Sequence, residues 1–283
     1  MNLTVQQHIA DDSAALQVAL NLETSTARIE VQCLLQAVLQ VNRAYLFTHP
    51  ERILNDAESS RYHALFERRL SGEPIAYLLG EREFFGLNFK VTHATLIPRP
   101  DTELLVEQAL QRIPHRGSCR VLDMGTGGGA IALSIAHARA DADVVAIDTS
   151  EAALQVARAN QTVLNLGNVN FLLSDWFSAL EQQRFDVIVS NPPYIASGDV
   201  HLSQGDVRFE PVRALASGAD GLDDIRRISA QSMRHLHACG WLLFEHGYDQ
   251  AEQVREILRQ TGFQQVFSAR DLSGIERVTG GCA

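Results

Sequence analysis

One run constrains this chain more than any other: Val121-Leu122-Asp123-Met124-Gly125-Thr126-Gly127-Gly128-Gly129-Ala130. It reads as a buried strand, a glycine-rich turn and the start of a helix. Glycine tolerates positive φ and lets a ligand approach the backbone closely. Gly125, Gly127 and Ala130 also satisfy the G-x-G-x-x-A pattern of dinucleotide sites. Taken alone, the run suits NAD, FAD or S-adenosylmethionine equally well.

The flanking sequence sets the fold class. From residue 119 onward, apolar runs and amphipathic stretches alternate. Strands are expected at Cys119–Met124, Val144–Ile147, Val169–Leu173, Phe185–Ser190 and Trp241–Phe244, with the last at Phe263–Phe267 and Glu276–Thr279. Helices are expected at Ala130–Ala140, Glu151–Leu166, Ile225–Leu236 and Glu252–Arg259. Such alternation predicts an α/β fold with a doubly wound, mostly parallel sheet. Residues 1–82 differ. Leu34, Leu35, Val38 and Val41 recur at helical spacing, Pro50 breaks the pattern, and glycine is missing until Gly72. A small N-terminal helical domain is expected there. Residues 83–98 read as a hairpin or linker, and residues 99–283 as the catalytic domain. In Pro98-Arg99-Pro100-Asp101-Thr102, the prolines exclude a helix interior, and Asp101 or Thr102 could cap a helix through Leu104 and Leu110.

Composition narrows the function classes. The 283 residues are 46% hydrophobic and 20% charged, which is ordinary for one large domain or two unequal ones. Asp plus Glu outnumber Lys plus Arg by 34 to 24, for a formal charge of -10. Residues 1–100 carry 9 basic and 11 acidic side chains, leaving 15 and 23 for residues 101–283. Neither part offers the basic face that phosphate backbones require, so no direct nucleic-acid partner is expected. Lys90 is the sole lysine, so an amine base has one candidate. No apolar stretch reaches the 18 residues of a membrane span, and the first residues show no basic segment followed by an apolar one. Cys33, Cys119, Cys239 and Cys282 are scattered. These features predict a cytoplasmic protein without a membrane partner; a monomer is expected. His235 and Cys239 could share a helix face with His237 nearby, but no four-ligand cluster is visible, so no metal is expected and ordinary helix residues are the simpler reading.

Two acids flank the loop. Asp148 ends the strand Ala146-Ile147-Asp148, where it could accept hydrogen bonds from ribose hydroxyls or cap the next helix with Thr149 and Ser150. Asp123 favours S-adenosylmethionine, because a carboxylate there would repel a pyrophosphate and attract a sulfonium and an α-amino group.

The strand Phe185–Ser190 runs into Asn191-Pro192-Pro193-Tyr194. In open α/β sheets, ligands bind beyond the carboxyl ends of the strands, so this turn should face the glycine loop. Two prolines make it rigid and remove two N–H donors. What remains are acceptors: the Asn191 side-chain oxygen and the Pro192 carbonyl. A planar NH₂ group could donate one hydrogen bond to each while Tyr194 stacks on it. That suits methylation of a conjugated nitrogen, which needs fixed acceptors rather than a strong base.

With these residues in place, the chain resembles the class I methyltransferases that modify NH₂ groups. Within them it is similar to the peptide chain release factor glutamine methyltransferases, the PrmC/HemK family. Gly72-Glu73-Pro74-Ile75-Ala76-Tyr77, Glu83-Phe84-Phe85-Gly86 and Leu96-Ile97-Pro98-Arg99-Pro100-Asp101-Thr102-Glu103 carry the resemblance in the first half. Gly205-Asp206-Val207-Arg208-Phe209-Glu210-Pro211, Gly221-Leu222 and Glu245-His246-Gly247 carry it in the second. It extends from about residue 25 to the last residue.

The resemblance implies a seven-stranded methyltransferase sheet. The substrate would be the glutamine of the Gly-Gly-Gln motif in class 1 release factors, modified once on its amide nitrogen, with S-adenosylhomocysteine as the second product. Gly125 to Gly129, Asp148, Trp176 and Asn191 would hold S-adenosylmethionine, with Trp176 near the adenine. Asn191 to Tyr194 would bind the glutamine amide, and the helical domain would dock the release factor. The family's loop usually carries Ser where this chain has Gly128, a change that removes no backbone N–H. Arg99 and Glu210 could be substrate contacts or an ion pair. Two alternatives share the turn: glutamine methylation of a ribosomal protein and, ranked lower on charge, adenine methylation of a nucleic acid.

Overall fold

The computed structural model describes residues 3–114 and 119–283. The chain divides into two compact units: residues up to Gly80 together with Ser203–Phe209, and Glu81–Leu202 together with Glu210–Ala283.

The first unit is helical, with α1 (Val5–Leu20), α2 (Thr24–Leu39), α3 (Arg43–Thr48), α4 (Asp56–Leu70) and α5 (Ile75–Leu79). Polar side chains cap three of these helices. Thr4 and Gln7 form a capping box on α1, Asn55 and Glu58 do so on α4, and Asn42 caps α3. Val31, Leu34, Leu35 and Val38 of α2 fill the core with Leu16 of α1 and Tyr62 of α4. Inside this unit Arg69 donates to both carboxylate oxygens of Glu30, at 2.7 and 3.2 Å, and both residues are buried.

The same Arg69 reaches Asp206 at 3.3 Å, and Arg208 donates to the Ser71 carbonyl at 2.8 Å. These contacts place Ser203–Phe209 with the helical unit, although the sequence reading assigns it to the catalytic domain. The segment is the end of one short 3-10 turn and the whole of the next, with few apolar residues, so charge pairing decides its allegiance.

The second unit opens with the hairpin β1 (Glu81–Phe84) and β2 (Leu87–Lys90), then α6 (Glu103–Leu110). Then follow β3 (Cys119–Met124), α7 (Ala130–Ala138), β4 (Ala142–Asp148), α8 (Glu151–Leu164), β5 (Val169–Leu173) and β6 (Phe185–Ser190). The last elements are α9 (Asp223–Ser232), β7 (Leu236–Glu245), α10 (Ala251–Gln260), β8 (Gln264–Arg270) and β9 (Glu276–Cys282). Seven strands form one sheet in the order β5-β4-β3-β6-β7-β9-β8. The first five run parallel, and β9 is antiparallel to both β7 and β8. The expected doubly wound architecture is therefore present.

Side chains alternate between the faces of the sheet. Val121, Val187 and Val189 join a core containing α6, α7 and the hairpin residues Phe84 and Phe89. Leu122, Met124 and Ile188 join the opposite core, built against α9 and α10. The hairpin thus belongs to the core of this unit instead of standing apart as a linker.

Two local expectations change. Leu236 begins β7 and does not end α9, which stops at Ser232. His235, His237 and Cys239 consequently share no helix; His235 stacks on Phe177 with ring centroids 4.4 Å apart. Among the described residues, no group of three or more potential metal ligands occurs. Nor is any described helix long and apolar enough to cross a membrane.

Removing Glu30 would strand the buried Arg69 charge. Glu30→Ala is expected to destabilise the protein by about 3 kcal/mol, the low end for a broken buried pair, because Asp206 and the Glu73 carbonyl remain as partners. Urea denaturation measures this; a loss below about 1 kcal/mol would show the pair to be dispensable.

Candidate active site

The carboxyl ends of β3, β4, β5 and β6 lie along one edge of the sheet, where doubly wound proteins bind ligands. Register sets the neighbours. Met124 pairs with Ser190 across β3 and β6, so Gly125 and Asn191 leave the sheet side by side. The Ser190 hydroxyl reinforces this by donating to the Met124 carbonyl at 2.7 Å.

Two cavities flank that point. The larger, about 240 Å³, is lined by Gly125, Gly127, Asp148, Asp175, Trp176 and Pro193 among others. The smaller, about 60 Å³, includes Pro98, Arg99, Thr102, Thr126 and Gly128 in its wall. Leu96, Gly125, Gly127 and Asn191 line both.

The glycine loop is shaped from behind. Gly125 has φ +74°, a conformation that favours glycine, and a Cβ built there would make ordinary contact with the Trp176 ring at 3.7 Å. Gly129 is the N-cap of α7 at φ +85° and lines neither cavity; a Cβ there would come within 2.9 Å of Leu133 and 3.2 Å of Ala157. Its contribution is helix packing. Asn160, on α8, binds the backbone of Lys90 in both directions and donates to the Gly128 carbonyl at 2.8 Å, fastening the loop to the hairpin.

Asp148 stands on the larger cavity wall. Its Oδ2 accepts from Gly127 N at 2.9 Å and its Oδ1 from Ser150 N at 2.8 Å. The cap of α8 is Ser150, whose hydroxyl accepts from Ala153 N, so Asp148 is not needed for capping. Each carboxylate oxygen keeps a lone pair for a hydroxyl.

Asp123 lies elsewhere than its sequence position suggests. It is wholly buried behind the loop and lines neither cavity. Its Oδ2 accepts from the Thr126 hydroxyl at 2.6 Å and Ala132 N at 3.1 Å, joining the loop to α7. Burial pushes its pKa up to about 7 against these hydrogen bonds, so its charge is weakened near neutrality.

Trp176 was recognisable only by resemblance. It holds a left-handed conformation at φ 50° in a 3-10 turn after β5, and its Nε1 donates to Asp224 at 3.2 Å. Asp224 also lines the larger cavity and accepts from Ser217; no motif marks it in the sequence.

In the Asn191–Tyr194 turn, Asn191 Nδ2 donates to the Thr102 hydroxyl at 3.3 Å. The hydroxyl expected to cap α6 is thus used by the site: Thr102 starts that helix without a side-chain cap bond. Among the described residues nothing donates to Asn191 Oδ1 or to the Pro192 carbonyl; Asn191 lines both cavities, whereas Pro192 is buried and lines neither. Pro193 lines the larger cavity. Tyr194 lines neither cavity; its hydroxyl donates to Glu245 Oε1 at 3.3 Å, and its phenol pKa is raised, chiefly by burial. Glu245, at the end of β7, is itself buried and pushed up to about 7. Arg99 and Glu210 form an ion pair, and Glu210 also accepts from Ile97 N at 3.1 Å.

The pKa of Asp123 has a consequence for stability. In the folded protein it lies above the unfolded value, so the neutral form favours folding, and that benefit fades as pH rises through about 7. The stability of the parent relative to Asp123→Asn is expected to fall by about 1–3 kcal/mol between pH 5 and 8. Denaturation at several pH values measures it; a difference that ignores pH would contradict the assignment.

This geometry now stands beside known proteins. The methyltransferase small domain profile matches residues 100–210, and the PrmC N-terminal domain profile matches residues 14–80. A release factor glutamine methyltransferase of Xylella fastidiosa is 50% identical over 254 residues, covering 90% of this chain and 92% of that one. The Pseudomonas aeruginosa protein of the same description is 51% identical, covering 91% and 93%. The Escherichia coli protein is 47% identical, covering 90% and 92%. Among solved structures, the hMettl16 catalytic domain in complex with the MAT2A 3'UTR hairpin 6 matches with TM-score 0.55 at 18% identity, covering 82% of this chain and 84% of that one. A methyltransferase from Pyrococcus furiosus gives 0.53 at 19% identity, covering 76% and 95%. These two likenesses concern the fold alone. The sequence relatives cover nearly the whole length and both units, and the chain belongs to the release factor glutamine methyltransferase family.

Proposed function

We propose that this protein methylates the side-chain amide nitrogen of the glutamine in the Gly-Gly-Gln motif of class 1 release factors. S-adenosylmethionine supplies the methyl group and leaves as S-adenosylhomocysteine. The observation that carries the reading is Asn191, which lines both cavities beside the glycine loop and whose Oδ1 has no donor among the described residues.

The residues fit that cofactor. Asp148 offers lone pairs to ribose hydroxyls from the wall that Gly125, Gly127 and Trp176 share with it. Asp123 supports the loop from behind. Gly128 keeps its N–H where the family usually has Ser.

The chain's own part is to position the amide. An amide nitrogen is a weak nucleophile because its lone pair is delocalised. Asn191 Oδ1 and Pro192 O each accept one of its two N–H groups, which fixes the nitrogen in line for attack. As the nitrogen gains positive charge, the same two dipoles stabilise it without reorganising. Its proton becomes acidic only after the N–C bond has formed, so no strong base is needed. Tyr194 holds the turn through Glu245 and does not stack on the substrate.

The helical unit carries no comparable chemistry, and we assign it to docking the release factor. The acidic balance of both parts supports a protein substrate over a nucleic acid. A cytoplasmic monomer acting away from membranes fits this reading.

Two outcomes are expected. Asp148→Ala weakens S-adenosylmethionine binding by about 1.5–3 kcal/mol in calorimetry, the value of a charge-assisted hydrogen bond. Unchanged affinity would remove Asp148 from the cofactor site. Asn191→Ala lowers kcat by about 100-fold or more, followed by peptide mass mapping of a release factor after incubation with enzyme and cofactor. Near-normal turnover, or a methyl group on any residue other than the motif glutamine, would overturn the reading.

A further inference from the structure

Exposed apolar side chains are spread unevenly over the second unit. Among its described residues, eight large ones stand in solvent. Two of these, Val163 near the end of α8 and Met233 just after α9, sit where helices return to the amino ends of the strands. The other six follow strand carboxyl ends. Leu173 ends β5, Val200 and Val212 lie in the connection after β6, and Tyr248 lies in the turn after β7. β9 runs against both β7 and β8, so β8 runs with β7, and the turn beyond its carboxyl end holds Leu272 and Ile275. The strand order therefore strings these side chains along the edge that carries the glycine loop and the Asn191 turn. Single exposed apolar residues are ordinary. Six of eight gathered on the edge that holds the cavities mark a surface that something covers.

The β8–β9 turn is braced. Asp271 Oδ1 accepts from Ser273 N and Ile275 N, both at 2.9 Å, and Asp271 N donates to the Ile275 carbonyl at 2.9 Å. Arg270 donates to the Gly274 carbonyl at 2.7 Å, and Gly274 takes a positive φ of +81°. Leu272 stands wholly in solvent on this turn. A prong held still beforehand loses little entropy on binding, so its buried area converts to affinity.

The acceptor role of Asn191 supplies the occupant. A glutamine side chain is short, so the backbone that carries the methylated amide, and the fold around it, must come up against this edge. We propose that the row from the Asn191 turn through Tyr248 to Leu272 and Ile275 docks the folded domain that presents the glutamine, with Leu272 entering an apolar recess of that domain. The partner is the release factor, so the inference rests on the function given above. It adds a docking surface on the methyltransferase unit to the one assigned to the helical unit. An apolar row suits a protein and not a nucleic acid, whose phosphates call for cations.

The test uses the full chain with Leu272→Ser and Tyr248→Ser combined, and with Val163→Ser as a control from the opposite edge. All three side chains are exposed, so melting temperatures are expected to hold. In steady-state methylation of intact release factor, the double variant is expected to raise the KM for release factor about tenfold. Its kcat and its KM for S-adenosylmethionine stay within about twofold. Fluorescence anisotropy of labelled release factor, which needs no turnover, is expected to show the same roughly tenfold weakening. Val163→Ser behaves as the parent in both assays.

Parent-like KM and affinity in the double variant would overturn the proposal, and so would an equal loss in Val163→Ser. Sedimentation of the parent as a dimer that the double variant dissolves would give the row to a second copy of the chain. Binding to phosphatidylcholine vesicles that the double variant abolishes would give it to a lipid surface. Either result would also overturn the proposal. A parent that leaves the motif glutamine unmethylated would overturn the function, while anisotropy would still judge the docking.

Discussion

Everything at this site depends on one strand pairing. Parallel β3 and β6 meet with Met124 opposite Ser190, and the buried Ser190 hydroxyl ties the two ends together at 2.7 Å. A shift of one residue would turn every side chain of β6 to the other face. Because the register holds, the glycine loop and the Asn191–Tyr194 turn emerge as neighbours, and two separately unremarkable loops become one site. β4 adds Asp148, and the turn after β5 adds Trp176, at the same edge.

What the sequence revealed follows from the range of the interactions involved. Strands buried on both faces are short apolar runs whatever their partners, so Cys119–Met124 and Phe185–Ser190 were legible to the residue. The loop glycines and Asn191–Tyr194 were legible because backbone geometry demands those residue types. Roles set by distant partners were not. Thr102 looks like a helix cap until Asn191, far along the chain, arrives at its hydroxyl. Asp123 looks like a cofactor contact until α7 covers it. Tyr194 looks like a stacking residue until Glu245 takes its hydroxyl. Ser203–Phe209 reads as catalytic-domain loop because its attachment to Arg69 and Ser71 crosses more than a hundred positions.

Charge plays two separate parts. The acidic excess lies mostly at the surface, where it argues about partners and not about fold. The two carboxyls that matter most to the site, Asp123 and Glu245, are buried and pushed up to about 7. Neither touches the cavities. Asp123 shapes the loop and Glu245 backs the turn, so both act by holding other groups in place. Chemistry that asks for fixed acceptors, with no strong base, can be built in this way in a chain with a single lysine.

The central claim is that Asn191 Oδ1 and Pro192 O together bind the amide that is methylated. A crystal structure of the enzyme with S-adenosylhomocysteine and a release factor tests it most directly. The account predicts the motif glutamine Nε2 within about 2.7–3.2 Å of both oxygens. A glutamine nitrogen bound by other groups, with either oxygen left unused, would contradict it.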